Sequence, residues 1–215
     1  MKRFALLEIA AIFSLIEIRI WVLDQLGIIT ALATALPILI VFLSWKKSGD
    51  NLKTLGLAPE NFKKDLDLIL SITICLLVLI LWIGFIWNPN FLQQKEIFWK
   101  WLKHLPGYFF WALLQNLWLN GYFTNRLEKV FPERPKLISA VAGILFAIVH
   151  LPNPVLFPVT LIGGIMSAYF FQRNRNLYIL ALSHAILAVS LLYFFPDSWH
   201  HHLHIGPGFY IFILK

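Results

Sequence analysis

Leu114-Gln115-Asn116-Leu117-Trp118-Leu119-Asn120-Gly121-Tyr122-Phe123 lies within an apolar helical pattern long enough to cross a bilayer. Three amides, Gln115, Asn116 and Asn120, stand where lipid would favour hydrocarbon. A buried polar group without a partner costs roughly 1–3 kcal/mol, so polar groups at membrane depth face a bundle interior or a wet cavity. On a helix, Asn116 and Asn120 share a face one turn apart, with Gln115 beside Asn116. Two readings compete: a polar cavity wall, and interhelical hydrogen bonding without chemistry. The stretch alone favours the second, and the rest of the chain has to shift that balance.

Composition sets the class. The 215 residues are 59% hydrophobic and 13% charged, with a mean hydropathy of +0.73; soluble domains carry about 25% charged residues. Several apolar runs exceed the roughly 18 residues that mark a transmembrane helix. The expected fold is all-α, a multi-pass bundle of about seven membrane helices. Cys75, the only cysteine, excludes an intrachain disulfide and leaves the redox compartment open. Lys2 and Arg3 before an apolar run resemble a signal peptide. That run is long, carries Glu8, Glu17 and Arg19, and has no convincing cleavage site, so an uncleaved first helix is expected.

The expected spans are 4–23, 26–45, 66–87, 107–127, 137–151, 155–171 and 177–195, with Pro152 ending the fifth. Glu8, Glu17 and Arg19 must face protein or water, or snorkel, and Glu17 and Arg19 do not share a helix face. The linker 46–65 contains Leu55-Gly56-Leu57, and Pro59 could open a short interfacial helix. Residues 91–105 mix aromatics with lysines and read as an amphipathic interfacial segment. Gly163-Gly164 would permit close helix approach. Residues 1–51 form a membrane hairpin and the start of a linker; residues 52–215 form the main membrane domain, packed with the hairpin as one unit.

Charge then orients the chain. With the amino terminus inside, the basic residues at 2–3, 46–64, 126–136 and 173–175 share one side, against Lys95, Lys100, Lys103 and Lys215 on the other. This is the positive-inside pattern. It predicts a cytoplasmic amino terminus and explains the net charge of +7 without a nucleic-acid partner. The expected partner is the lipid bilayer.

His150 ends the fifth span and His184 lies within the seventh. A lone membrane histidine is more often a packing residue than a ligand; two near an amide-lined helix suggest a shared cavity, and imidazole both binds metals and carries protons. His200, His201, His202 and His204 form a dense cluster in the tail, a pattern of metal binding or of a solvated, pH-responsive segment. If the tail folds back, these four could complete a divalent-metal site with His150 and His184.

From Leu52 onward the chain resembles the CPBP family, the CAAX-processing and bacteriocin-self-immunity intramembrane proteases. The family's E-E-x-x-x-R-G-x-L motif aligns with Gln115-Asn116-Leu117-Trp118-Leu119-Asn120-Gly121-Tyr122-Phe123. Its F-x-x-x-H motif is intact as Phe146 to His150, and its H-x-x-x-N/D motif aligns with His184 to Ala188. The resemblance implies a bacterial inner-membrane protein, with a membrane or prenylated peptide as its partner. In the family the first glutamate activates a water for peptide hydrolysis. Here both glutamates, the arginine and the last asparagine fall on Gln115, Asn116, Asn120 and Ala188. An amide cannot take up the proton that a carboxylate takes.

The expectation is a CPBP-like membrane protein whose cavity is built from Gln115, Asn116, Asn120, His150 and His184, without glutamate-type peptidase chemistry. The alternatives are a histidine-metal membrane enzyme and a non-catalytic binder of a membrane or lipid-modified peptide.

Overall fold

The structure is a computed structural model that describes residues 2–23, 28–87, 89 and 95–213. The described residues are helical, with no strand among them. Helices α1 (Lys2–Trp21) and α2 (Ile28–Ser48) form the amino-terminal pair, and α3 (Leu66–Trp87) follows the linker. A long rod then runs through α4 (Lys95–Asn116), a π-helical stretch (Leu117–Thr124) and α5 (Asn125–Val130). After it come α6 (Pro135–Ile148), α7 (Leu156–Asn174) and α8 (Leu177–Phe194). The tail folds as α9 (Asp197–His200), a 3-10 turn (His201–Leu203) and α10 (Gly206–Ile213).

These rods coincide with the expected spans. By length and apolarity alone, α2, α3 and α8 can cross a membrane. The first helix carries Glu8, Glu17 and Arg19, and α6 has only 14 residues. The large apolar side chains left exposed along α2 and α3 fit a bilayer as the surrounding medium.

The fourth rod starts earlier than the expected span: residues 95–105 continue unbroken through Pro106 into it, while 91–94 lie outside the described residues. The proline removes one backbone donor, which membrane bundles tolerate where neighbouring helices support the chain. Here α8 gives that support. Trp101 Nε1 donates to Ser190 Oγ at 3.0 Å, and Leu105, Tyr108 and Phe109 pack on Ala112, Ala181 and Ala185.

The core has two main parts. Ile9, Ile12 and Val41 of the amino-terminal pair share one cluster with Leu119, Tyr122, Phe123, Ile138 and Ala168. The other joins α3 to the α7–α8 corner through Ile69, Phe171, Leu177 and Ile179. Close approach of α6 and α7 depends on Gly143 as much as on the expected glycine pair. A Cβ on Gly143 would lie 2.5 Å from Ile165 Cγ1 and 2.7 Å from Ile165 N. Gly164 meets Gly143 Cα, whereas Gly163 faces open space.

The linker is tied down rather than free. Gly56 adopts a positive φ of +77°, and an added Cβ would sit 2.8 Å from the Arg175 carbonyl. Leu177 N donates to Gly56 O, and Tyr178 Oη to Leu57 O. Asn176 Nδ2 donates to the carbonyls of Phe62 and Lys64. Pro59 opens a three-residue 3-10 turn in place of an interfacial helix.

Candidate functional site

The opening stretch folds as the π segment and the turn before it. Widened helical turns of this kind are rare and concentrate at functional sites. In this one the Gly121 carbonyl accepts side-chain donors from two directions, Trp45 Nε1 at 3.0 Å and Asn125 Nδ2 at 3.0 Å. The backbone of the site helix thus anchors α2.

Asn116 is the centre of a neutral hydrogen-bond network. Its Nδ2 donates to Ala112 O at 2.9 Å and to His184 Nδ1 at 3.3 Å. Its Oδ1 accepts from Asn120 Nδ2 at 3.1 Å and from Ser167 Oγ at 3.0 Å. Two donors and two acceptors are the full capacity of an asparagine amide. Asn120 Nδ2 also donates to Ser167 Oγ at 2.8 Å. Asn116 and Asn120 are both buried.

The two histidines are held in complementary ways. A carbonyl can only accept, so His150 Nδ1, 2.7 Å from Phe146 O, is a donor; in the neutral ring that leaves Nε2 as an acceptor. An amide nitrogen can only donate, so His184 Nδ1 accepts from Asn116, and in the neutral ring its Nε2 carries the proton. The Phe146 ring stands against both imidazoles, with centroids 4.7 Å from His150 and 6.0 Å from His184. Tyr108 flanks His184 at 6.2 Å. Gln115 differs from its neighbours: its Oε1 is buried and has no hydrogen-bond partner among the described residues.

Ser167 was not among the sequence candidates. A lone serine in an apolar helix reads as packing, and only its contact with both asparagines identifies it.

A second, charged network lies further along the same rod. Arg126, 2% exposed, donates from NH1 to Asp50 Oδ2 at 2.7 Å. Its Nε and NH2 reach Ser44 Oγ at 3.0 and 2.8 Å, and its Nε lies 3.4 Å from Glu8 Oε1. Glu8 Oε1 also accepts from Ser44 Oγ and from Tyr122 Oη, the latter at 2.9 Å. Glu8 was expected to face protein or water, and it faces this arginine. Burial, followed by the Arg126 guanidinium, pulls the nearby Lys129 ammonium below the usual lysine range. Beyond it, Arg175 pairs with Glu128 at 2.5 Å and also donates to Asn125 Oδ1.

The six-histidine metal site is not assembled. Among the described residues no group of three or more His, Cys, Asp or Glu side chains is placed to hold a metal ion. The tail does fold back: Gly206 N donates to Leu151 O at 2.8 Å, Trp199 packs on Trp87, and the Asn153 amide holds two tail carbonyls. Asn153 Nδ2 donates to the carbonyls of His200 and His204, while its Oδ1 accepts from Val155 N and Leu156 N at the start of α7. The tail imidazoles turn to other partners: His202 Nε2 lies 3.0 Å from Asp197 Oδ2, and His201, His202 and His204 pack around Phe212. Burial lowers the pKa of His200, against the opposing pull of the Phe195 carbonyl and Asp197.

A helical bundle with polar side chains from the long rod, α7 and α8 gathered on one asparagine fits a class: polytopic membrane proteins with a polar network inside the bundle. Residues 97–190 match the family model described as type II CAAX prenyl endopeptidase Rce1-like. The segment covers a little under half of the chain and includes all three aligned motifs, and the chain is a CPBP-like membrane protein. No curated protein and no solved structure matches it.

Proposed function

We propose that this protein holds a membrane-embedded or lipid-modified peptide at the Asn116–His184 site without hydrolysing it. It would do so in a bacterial inner membrane with its amino terminus in the cytoplasm, as the asymmetry of basic residues supports. The observation that carries the reading is the saturation of Asn116. The position of a family glutamate is filled by an amide whose four hydrogen-bond sites are all engaged. The nearest substitute for a general base would be another carboxylate, and Glu8 is already bound by Arg126, Ser44 and Tyr122.

The remaining groups suit recognition of an amide. His184 Nε2–H can donate to a peptide carbonyl, and His150 Nε2 can accept from a peptide N–H. Phe146 and Tyr108 supply apolar walls beside them.

The test uses the full chain in nanodiscs with a farnesylated peptide ending in a CAAX sequence. The parent binds and leaves it uncut. Restoring the family groups together, as Gln115→Glu, Asn116→Glu, Asn120→Arg and Ala188→Asn, yields hydrolysis. General-base assistance contributes about 10²–10⁴-fold in rate, well above a silent background. Cleavage by the parent that is lost in His150→Ala or His184→Ala would overturn the reading.

A further inference from the structure

A buried carbonyl oxygen without a partner costs about 1–3 kcal/mol, and the Gln115 Oε1 is in that state. The side chain stands beside the saturated Asn116 yet joins none of its bonds. Its surroundings explain what could reach it. The fourth helix packs along α8, whereas α6 packs along α7; α6 meets the fourth rod chiefly through the π segment and α5. Gln115 lies two residues before the π segment where that contact begins. Trp111 and Leu114, just before it on the rod, are large apolar side chains left exposed. Gln115 therefore occupies the margin between the polar network and the apolar exterior. A chain lying in the bilayer would meet it there first.

We propose that Gln115 Oε1 is the acceptor for one backbone N–H of an extended peptide that approaches from the bilayer between the fourth helix and α6. The inference rests on the peptide-binding reading given above. It assigns Gln115 a recognition role that a carboxylate serving as a water-activating base would not have. Three features single out an N–H donor from an extended peptide. The oxygen can only accept. A lipid tail has no donor to offer. A helical segment has its own N–H groups engaged, whereas an extended one has them free.

The experiment measures binding of a fluorescent farnesylated peptide ending in a CAAX sequence to the full chain in nanodiscs. In an analogue series each backbone amide is replaced in turn by an ester, which deletes a single N–H. One ester position weakens binding to the parent by about 3–10-fold, the range of a net hydrogen bond. Gln115→Met, of similar length and without the acceptor, binds the amide peptide as weakly as the parent binds that ester. It shows no further loss with the ester itself. Gln115→Glu keeps an acceptor and keeps the preference. If no ester position weakens binding to the parent, the inference fails; this arm needs no variant to fold. If the ester penalty is the same in the parent and Gln115→Met, the N–H is read elsewhere and the inference fails while the peptide-binding reading stands. If the parent binds no peptide, that reading fails, and the inference with it.

Discussion

Replacing Arg126 with leucine should be the most damaging single change outside the apolar core. The guanidinium is 2% exposed and serves Asp50 at 2.7 Å, Ser44 through two nitrogens, and Glu8 at 3.4 Å. Its loss leaves Glu8 without its countercharge and Asp50 with only the more distant Lys129, at 3.8 Å, and both carboxylates are shielded from water: Asp50 is 7% exposed and Glu8 16%. Removing one partner of a buried ion pair costs about 3–5 kcal/mol, which is roughly two to four decades in the unfolding constant. The longer Glu8 contact and that residue's greater exposure place Arg126→Leu toward the lower figure. Arg126→Lys should recover only part, because an ammonium cannot span Asp50 and Ser44 as a planar fork does. The decisive variant combines Arg126→Leu with Glu8→Gln and Asp50→Asn. With no charge left buried and unpaired, most of the loss should return. Reversible denaturant unfolding in bicelles gives each free energy. A loss below about 1 kcal/mol for Arg126→Leu, the scale of an exposed pair, would refute the argument, as would a triple variant no better than the single.

Two further outcomes follow from the helix contacts and the tail. Gly143→Ala should destabilise by about 1–3 kcal/mol through overpacking, since its Cβ would meet Ile165 at 2.5 Å. Gly163→Ala, with nothing within 4 Å, should be neutral or gain up to about 1 kcal/mol from the better helix former. The same unfolding measurement separates them. For the tail, the folded chain favours neutral His200, so the unfolded state takes up its proton first as pH falls. The stability contribution is complete above the ordinary value of 6.5 and declines as pH drops below it. Protease release of the tail should therefore rise as pH falls below 6.5, and His200→Gln should flatten that rise.

Much of the architecture was legible because lipid imposes a length and an apolarity on each helix. The expected spans fall on α1 to α3, the long rod and α6 to α8. Asn116, Asn120 and His184 could be singled out because each is a polar group in an apolar run, and they do share one network. Ser167 escaped notice because a serine costs little in a membrane helix and carries no periodic signal. The Glu8–Arg126 pair was half legible: a charge in the first span demanded a partner, but nothing in the sequence pointed 118 residues ahead. The tail misled for the opposite reason. Its histidines dominate the composition, while one of the residues that dock it, Asn153, is a single amide after a proline. Gly143 was hidden because its closeness to Ile165 depends on how two helices cross.

Asn153 also carries a consequence for biogenesis. The start of α7 and the folded tail draw on the two ends of one side chain, and His200 follows Asn153 by 47 residues. At a synthesis rate of about 5–20 residues per second, the amide emerges several seconds before the carbonyls that will accept from its Nδ2. Its oxygen can cap α7 at once, but its nitrogen must wait through the making of two more helices, solvated or borrowed by another partner. The corner beside His150 is therefore closed only after α7 and α8 have been made, so the chain has a built-in order in which the histidine site is framed late.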